Sequence, residues 1–457
     1  MKKGLTTCLV IVLVLACLCI AGVGFMLFSN FCPPQGPWPM PPWCDGSAAV
    51  PPVPENLLSI TLTQEEDPFV PTATPFVYEL SPEDVQVFSG SEWEQEPTLP
   101  SDFMIGHTFM DIYTNGLFQA YLESTINSMQ DSRATWVVYD NYWSYQSFEP
   151  PIIAPYPKTE GFRNAAPEEI CKMVQETHAR GMKFALMTEL TFDIARGEWQ
   201  GWDQNTDFWQ QSQQLLAAKS DDLPANTEWW DAWFESYGTF VFEQARTAKQ
   251  CNVDMLVIGK QIDGAVKTGN ADRWRELIVQ TRAIYPGPLS YAAWTDQNYS
   301  QASEFPYDAL DYIIIYLYNN VSDAENPSLS ELIGSFERFN DKQFEPLSRQ
   351  YDKPVIFLTP FQSRDHGAQQ AWFEPADVSP NVGEDFLIQA SLYDAFFQAI
   401  QDEDWVAGVW TWGYWWRDDF NTVWQPGDAS FNKSSSVRNK PAMWIIQKWS
   451  EGIGTTP

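Results

Sequence analysis

A chain of 457 residues with 44% hydrophobic and 15% aromatic residues can bury a large core, which favours a folded, soluble body. Its 60 acidic residues against 27 basic ones give a formal charge of -33. This charge repels the phosphates of nucleic acids and anionic lipid head groups, so we expect no nucleic-acid partner.

Residues 1–30 predict a membrane segment. Lys2 and Lys3 precede an apolar run from Cys8 to Phe28, which is long enough to span a bilayer, where about 20 residues are needed. We predict a signal anchor that holds the exported chain at the cell membrane with the body outside. The residues VLAC ending at Cys17 resemble a bacterial lipoprotein cleavage site, so a lipid anchor or a cleaved signal stays open.

Residues 31–100 are rich in Pro, Ser, Thr and acids and predict an extended extracellular stalk. Cys32 and Cys44, just outside the membrane segment, can form one bridge in an oxidising compartment. Cys171 and Cys251 lie in helical, core-facing patterns and are predicted to be buried free thiols. The cysteines and the 3 histidines show no metal-ligand spacing, so we expect neither a metal nor another cofactor.

Residues 101–457 predict an α/β fold, a (β/α)8 TIM barrel, because short β-rich runs alternate with longer amphipathic segments. The run APEEICKMVQETHARG has the signals of one such helix, opened by Pro167 and closed by Gly181. A doubly wound sheet is the alternative, but no glycine-rich phosphate loop follows the first strand. The predicted strands are FMIGHT from Phe103, ATWVVY from Ala134, MKFALMT from Met182, VDMLVIG from Val253, PLSYAAW from Pro288, LDYIIIY from Leu310, KPVIFLT from Lys353 and VAGVWTW from Val406.

The predicted carboxyl ends of these strands carry aromatic, amide and carboxylate side chains with almost no cations. Such a mixture suits sugars, because rings stack on C–H faces while amides and carboxylates bind hydroxyl groups. Packing explains part of the set, since alternate rings of a strand must fill the barrel. The residues are Asp111, Asp140, Asn141, Tyr142, Trp143, Glu189, Gln261, Asp263, Trp294, Tyr316, Tyr318, Asn319, Trp410, Trp412, Tyr414, Trp415 and Trp416.

From about Phe103 to Trp416 the chain resembles the retaining glycoside hydrolases built on (β/α)8 barrels, and most of all the β-mannanases of glycoside hydrolase family 113. The order and spacing of several segments carry this resemblance. They are AAPEEICKMVQETHARGMKFALM, VDMLVIGKQID, ADRWRELIVQTRAIYPGPLSYAA, LDYIIIYLY, KPVIFLTPFQSRD and VAGVWTWGYWW.

The resemblance implies a general acid/base glutamate after strand 4 and a nucleophilic glutamate after strand 7, about 5 Å apart. The first position holds Gln261 and the second falls at Thr359 or Pro360. An amide does not exchange a proton near neutral pH, and proline is not a nucleophile. No catalytic residue is therefore assigned, and both expected glutamates are substituted.

By the same resemblance, Trp412 matches the tryptophan that floors the sugar site, and Tyr316 and Tyr318 match the tyrosine region of strand 6. Barrel geometry alone adds Asn141 and Trp143 to the expected cleft. Gln261, at the family's acid/base position, can hydrogen-bond a glycosidic oxygen, and Trp415, past the end of its strand, is expected to stack on a sugar.

Three functions are compatible with this sequence. The first is a surface-anchored, catalytically degenerate barrel that binds β-linked polysaccharide or oligosaccharide in an aromatic cleft. The second is an active, mannanase-like retaining β-glycosidase that uses relocated carboxylates, Glu189 and Asp263, with Asp111 or Asp365 in reserve. The third is a structural surface protein with a vestigial cleft.

Overall fold

The computed structural model describes residues 96–110, 118–155, 164–192, 216–266, 269–294, 305–369, 382–414 and 430–454. The predicted membrane segment and nearly all of the predicted stalk lie outside these ranges. Within them, no helix combines the length and the apolar character needed to cross a bilayer.

The described strands form a closed barrel of parallel strands, as predicted. In sheet order β1 pairs with β9 at one side and with β2 at the other, which closes the ring. All the predicted strands are present and run in the expected order. Their bounds are β1 Met104–Met110, β2 Trp136–Phe148, β3 Pro151–Ala154, β4 Lys183–Phe192, β5 Met255–Lys260, β6 Leu289–Trp294, β7 Tyr312–Tyr316, β8 Val355–Thr359 and β9 Val406–Thr411.

Helices follow most strands and pack around the barrel. The predicted start of α2 is confirmed, since Pro167 is its first residue and the Glu169 carboxylate accepts the Ala166 N–H at 2.7 Å. The helices are α1 Phe118–Asp131, α2 Pro167–Ala179, α3 Thr227–Cys251, α4 Ala271–Ile284, α5 Leu329–Phe339, α6 Glu345–Tyr351, α7 Phe386–Ile400, α8 Ser430–Lys433 and α9 Pro441–Glu451. A π-helical segment, Asn340–Phe344, joins α5 to α6.

Strand β2 is longer than predicted. Its carboxyl half continues past Tyr139 to Phe148 and turns back through β3, which pairs with it antiparallel outside the ring. Helix α3 supports this hairpin, because the Ile153 N–H donates to the Ser236 hydroxyl at 2.7 Å. The residues predicted to follow β2, from Asp140 to Trp143, therefore lie within the strand.

Apolar side chains fill two separate layers, one inside the barrel and one between the barrel and its helices. The interior layer includes Trp136 and Trp410, whose ring centroids are 5.9 Å apart. Gly106 makes room for this pair, since a Cβ atom at that position would lie 2.6 Å from Trp410 Cδ1. Packed rings therefore fill this part of the barrel interior.

Residues before β1 already belong to the folded body. The Leu99 N–H donates to the Gly452 carbonyl at 3.1 Å, and the Gly454 N–H donates to the Leu99 carbonyl at 2.9 Å. Leu99 itself is buried. These contacts tie the beginning of the body to the segment that follows α9.

Cys171 of α2 and Cys251 at the end of α3 form a disulfide bond, with their Cα atoms 4.7 Å apart. The prediction of two free thiols is therefore wrong. Each cysteine was correctly placed in a helical, core-facing pattern, but the pattern does not reveal that α2 and α3 pack against each other at these two turns.

Removing this bond in a Cys171→Ser/Cys251→Ser variant should lower the free energy of unfolding by about 2–4 kcal/mol, because the unfolded chain gains the freedom of a long open loop. Urea unfolding of the oxidised wild type and the variant measures the difference. Reductant should shift the wild type towards the variant and leave the variant unchanged. Equal stabilities of the oxidised wild type and the variant would contradict the assignment.

Candidate functional site

An irregularity in β5 turns Lys260 towards the inside of the barrel. Met255 and Val257 face the interior, whereas Ile258 faces the helices, and the pairing with β6 shifts between Val257 and Lys260. A β-bulge of this kind re-aims the side chain that follows it. Gly259 permits the close approach, because a Cβ atom there would lie 2.7 Å from the Tyr237 hydroxyl.

Two carboxyl groups, those of Asp140 and Glu189, contact the ammonium group of Lys260. Its Nζ atom lies 2.6 Å from Asp140 Oδ2 and also contacts Glu189 Oε2. Asp140 continues the inward face of β2 and Glu189 that of β4, so three strands supply the cluster. The side chains of Lys260 and Asp140 are fully buried, whereas that of Glu189 is 15% exposed. Glu189 is therefore the member that solvent or a ligand can reach.

The charges of this cluster shift its proton equilibria. Burial and the nearby charge of Asp140 raise the pKa of Glu189 well above 4.5, against the opposing effect of Lys260. Burial alone would lower the pKa of Lys260, but the charges of Asp140 and Glu189 outweigh it and raise that pKa. Lys260 thus stays an ammonium ion, and Glu189 holds its proton to a higher pH than a free glutamate.

Aromatic rings surround the same ammonium group. The ring centroids of Trp412, Tyr316 and Tyr142 lie 5.1, 5.8 and 6.0 Å from Lys260 Nζ. Tyr316 stands perpendicular to Trp412 at 5.7 Å and stacks on Tyr318 at 5.4 Å. We call this cluster at the carboxyl ends of the strands, formed by Asp140, Glu189, Lys260, Tyr316 and Trp412, the mouth.

Trp412 and Tyr318 lie at the more open side of the mouth, since both are partly exposed whereas Tyr316 is buried. Within the described part of the chain, the buried Trp412 Nε1 atom has no hydrogen-bond partner. The partly exposed ring offers a flat apolar face, and its buried N–H is a donor that the described residues leave unsatisfied.

The residues at the two expected glutamate positions also lie at this end of the barrel. Gln261 directly follows β5 with a φ of 55°, and its N–H donates to the Ala292 carbonyl at 3.0 Å. The Thr359 hydroxyl, at the end of β8, bonds the Trp410 carbonyl at 3.2 Å and faces Tyr393 of α7. Pro360 is buried and continues the interior-facing alternation of Ile356 and Leu358.

Two predicted sugar contacts face away from the mouth. Asn141 donates to the Gln244 side chain of α3 at 2.7 Å, and Trp143 stacks on Phe240 of the same helix at 4.7 Å. Their placement in the cleft is therefore corrected. The physical reason is strand alternation, because β2 continues through these positions and sends every second side chain to the helical layer.

Five further predicted residues have no described side chain, and one of them is Trp294 at the end of β6. Asp111, Trp415 and Trp416 lie outside the described residues, and Asp263 contributes only its backbone, which begins a short 3-10 helix. Asp365, held in reserve, is exposed and accepts the Gly383 N–H at 2.6 Å, so it stabilises a loop. In the described ranges, no group of three or more His, Cys, Asp and Glu side chains is placed to hold a metal.

Lys260 is the site residue that sequence reasoning did not single out. A lysine that ends the apolar run LVIG was a usable signal, because a buried ammonium group requires carboxylate partners. Asp140 and Glu189 were both among the strand-end acids, but nothing in their spacing showed that they bind the same cation.

A family model described as Glycoside Hydrolase Family 113 matches residues 108–435. The chain belongs to glycoside hydrolase family 113. The fold, the mouth at the carboxyl ends of the strands and the segments of the sequence that resemble this family all agree with that membership.

Solved structures of family 113 show the same fold. A β-1,4-mannanase of the family, solved as a complex, is 21% identical with a TM-score of 0.56, and the match covers 76% of this chain and 99% of that chain. The β-mannanase AaManA from Alicyclobacillus acidocaldarius, in complex with ManMIm, is 21% identical over 77% of this chain and 98% of that chain, also with a TM-score of 0.56. A comparison with curated protein sequences gave no match.

Replacing Lys260 with methionine should lower the free energy of unfolding by about 3–5 kcal/mol, because the buried Asp140 and the partly exposed Glu189 lose their only cation in the described part of the mouth. Urea unfolding measures the loss. The exposed Lys249→Met serves as the matched control and should change stability by less than about 0.5 kcal/mol. Adding Asp140→Asn to Lys260→Met should recover part of the loss. An additive double variant would contradict the pairing.

The raised pKa of Glu189 makes stability depend on pH. Its contribution is fully present below the ordinary value of 4.5 and is lost as the pH rises through the folded-state pKa, because the folded protein holds a proton that the unfolded chain has released. In that window Glu189→Gln should remove a slope of up to about 1.4 kcal/mol per pH unit. Unfolding curves across the pH range test this, with the exposed Glu235→Gln as control. Parallel profiles of wild type and Glu189→Gln would contradict it.

Proposed function

We propose that this family 113 barrel binds a β-linked oligosaccharide in its mouth without hydrolysing it. The main support is the position of the Lys260 ammonium group, which contacts both Asp140 and Glu189 in the buried part of the mouth. A carboxylate held by a buried cation is a weak nucleophile, because bond formation would uncover the ammonium charge.

The expected acid/base and nucleophile positions support the same reading. Gln261 can hydrogen-bond a glycosidic oxygen but cannot protonate it, and Pro360 has no side-chain oxygen. Asp140 does not replace them, since it is fully buried beneath Tyr142, whose hydroxyl donates to Asp140 Oδ2 at 3.2 Å. Retaining hydrolysis needs two reachable carboxyl groups about 5 Å apart, and Glu189 is the one partly exposed acid of the described cluster.

The binding wall is formed by Trp412, Tyr316 and Tyr318. The perpendicular and stacked rings give a rigid apolar surface, and the Trp412 N–H adds a donor. Mannan-type oligosaccharides are the first ligands to test, because related structures are of β-1,4-mannanases. Cello- and xylo-oligosaccharides share the β-1,4 linkage and widen the test.

Hydrolysis is the second candidate, and the raised pKa of Glu189 favours it. A protonated, partly exposed glutamate is what a general acid requires. Asp263 is the proposed second carboxylate of this alternative. Glu189 would then have to leave Lys260 during each reaction, which costs the ion pair.

We further propose that the barrel acts outside the cell, anchored through residues 1–30. The Cys171–Cys251 bond supports export, since such bonds persist in oxidising compartments. The aromatic mouth would then meet polysaccharide in the surroundings of the cell.

Titration calorimetry with mannohexaose, cellohexaose and xylohexaose should detect binding of at least one of them. Trp412→Ala should weaken that binding at least about tenfold, because the ring face and its N–H are lost. Trp444→Ala is the matched control, since Trp444 is an exposed tryptophan on α9, and it should bind as the wild type does.

Reducing-sugar release from the same oligosaccharides separates the candidates. We expect none from the wild type. Release by the wild type that disappears in Glu189→Gln or Asp263→Asn would establish hydrolysis. Failure of every ligand in a broad glycan array would leave a structural barrel with a vestigial cleft.

A further inference from the structure

We propose that the mouth selects cationic sugars, so that its ligand is a β-1,4-linked oligosaccharide with free amino groups of the glucosamine type. This inference rests on the proposed function and names its substrate class. In the mouth, one ammonium group contacts two carboxyl groups.

Lys260 compensates only part of the negative charge. Its Nζ atom contacts Asp140 through Oδ2 and Glu189 through Oε2. The second oxygen of Asp140, Oδ1, is buried and has no hydrogen-bond partner among the described residues. A ligand ammonium group that contacts Glu189 favours release of the proton that the raised pKa of this residue retains, and the cluster then carries a net charge of about -1 where low dielectric strengthens any charge interaction.

Glu189 presents this excess charge to the mouth. It is the cluster member with an exposed fraction, 15% of its side chain, while Lys260 is fully buried. No arginine or second lysine is paired with Glu189 or Asp140 in the described ranges. Among the described residues, a ligand ammonium group that approaches Glu189 therefore meets no ion-paired cation other than the buried Lys260.

The rings of the mouth favour a cation as well. Trp412 and Tyr316 already lie 5.1 and 5.8 Å from an ammonium nitrogen, and the partly exposed Trp412 can present its ring to a second one from the ligand side. The formal charge of -33 acts in the same direction at longer range. It draws cationic chains towards the protein and repels glycans that carry uronate or sulfate groups.

A matched pair of ligands isolates the amino group. Chitosan hexamer, the β-1,4-linked glucosamine hexaose, differs from cellohexaose in carrying an amino group instead of a hydroxyl at each C2. In low-salt buffer near neutral pH, where more of Glu189 is ionised than in acid, the wild type should bind the glucosamine hexaose about tenfold more tightly than cellohexaose, from one additional charge contact. Glu189→Gln should reduce this ratio to within about twofold, and added salt should weaken it in the wild type.

Controls separate the mouth from the acidic surface. Glu235→Gln removes the same charge from the exposed face of α3 and should keep the tenfold ratio. Cellohexaose should compete with the glucosamine hexaose for one site. A ratio of one in the wild type, or equal loss in Glu189→Gln and Glu235→Gln, would overturn the inference. Binding of neutral hexaoses together with a ratio of one would leave the proposed function intact, whereas absence of neutral binding with non-competing glucosamine hexaose would overturn both.

Discussion

The ammonium group of Lys260 holds three strands of the barrel together at the mouth. It contacts Asp140 of β2 and Glu189 of β4 from the end of β5, and all three groups pay a desolvation cost that only their mutual contact offsets. Neutralising one partner alone leaves the remaining charges without full compensation. The positions of Trp412 and Tyr316 depend on the same group, because both rings pack around it.

This arrangement connects a local backbone feature to function. The irregularity of β5 after Val257, allowed by the small Gly259, directs a lysine into the space where a glycoside hydrolase of this fold gathers its acids. In the proposed account the cation binds the available carboxylates instead of leaving them free to react. The aromatic wall does not depend on reactive acids, so recognition of a sugar can persist without cleavage of its linkage.

Much of the barrel follows from sequence because each strand is an apolar run bounded by clear helix signals, such as Pro167 and Gly181 around α2. The β2–β3 hairpin was not predicted, since the run from Asp140 to Trp143 reads equally well as a strand or as its following loop. That ambiguity misplaced Asn141 and Trp143, which face α3, whereas Trp412 and Tyr316 lie beside Lys260. The Cys171–Cys251 bond and the Lys260 cluster depend on contacts between segments that are distant in the sequence. Local sequence patterns do not show which distant segments meet.

The most direct test of the account is a crystal structure of the wild-type protein after a long soak with mannohexaose or with whichever hexaose binds best. We predict an intact oligosaccharide against Trp412, with Glu189 and Asp140 still bound to Lys260. Shortened sugar products in the mouth, or a glycosyl group attached to a carboxylate, would contradict the loss of chemistry on which the account rests.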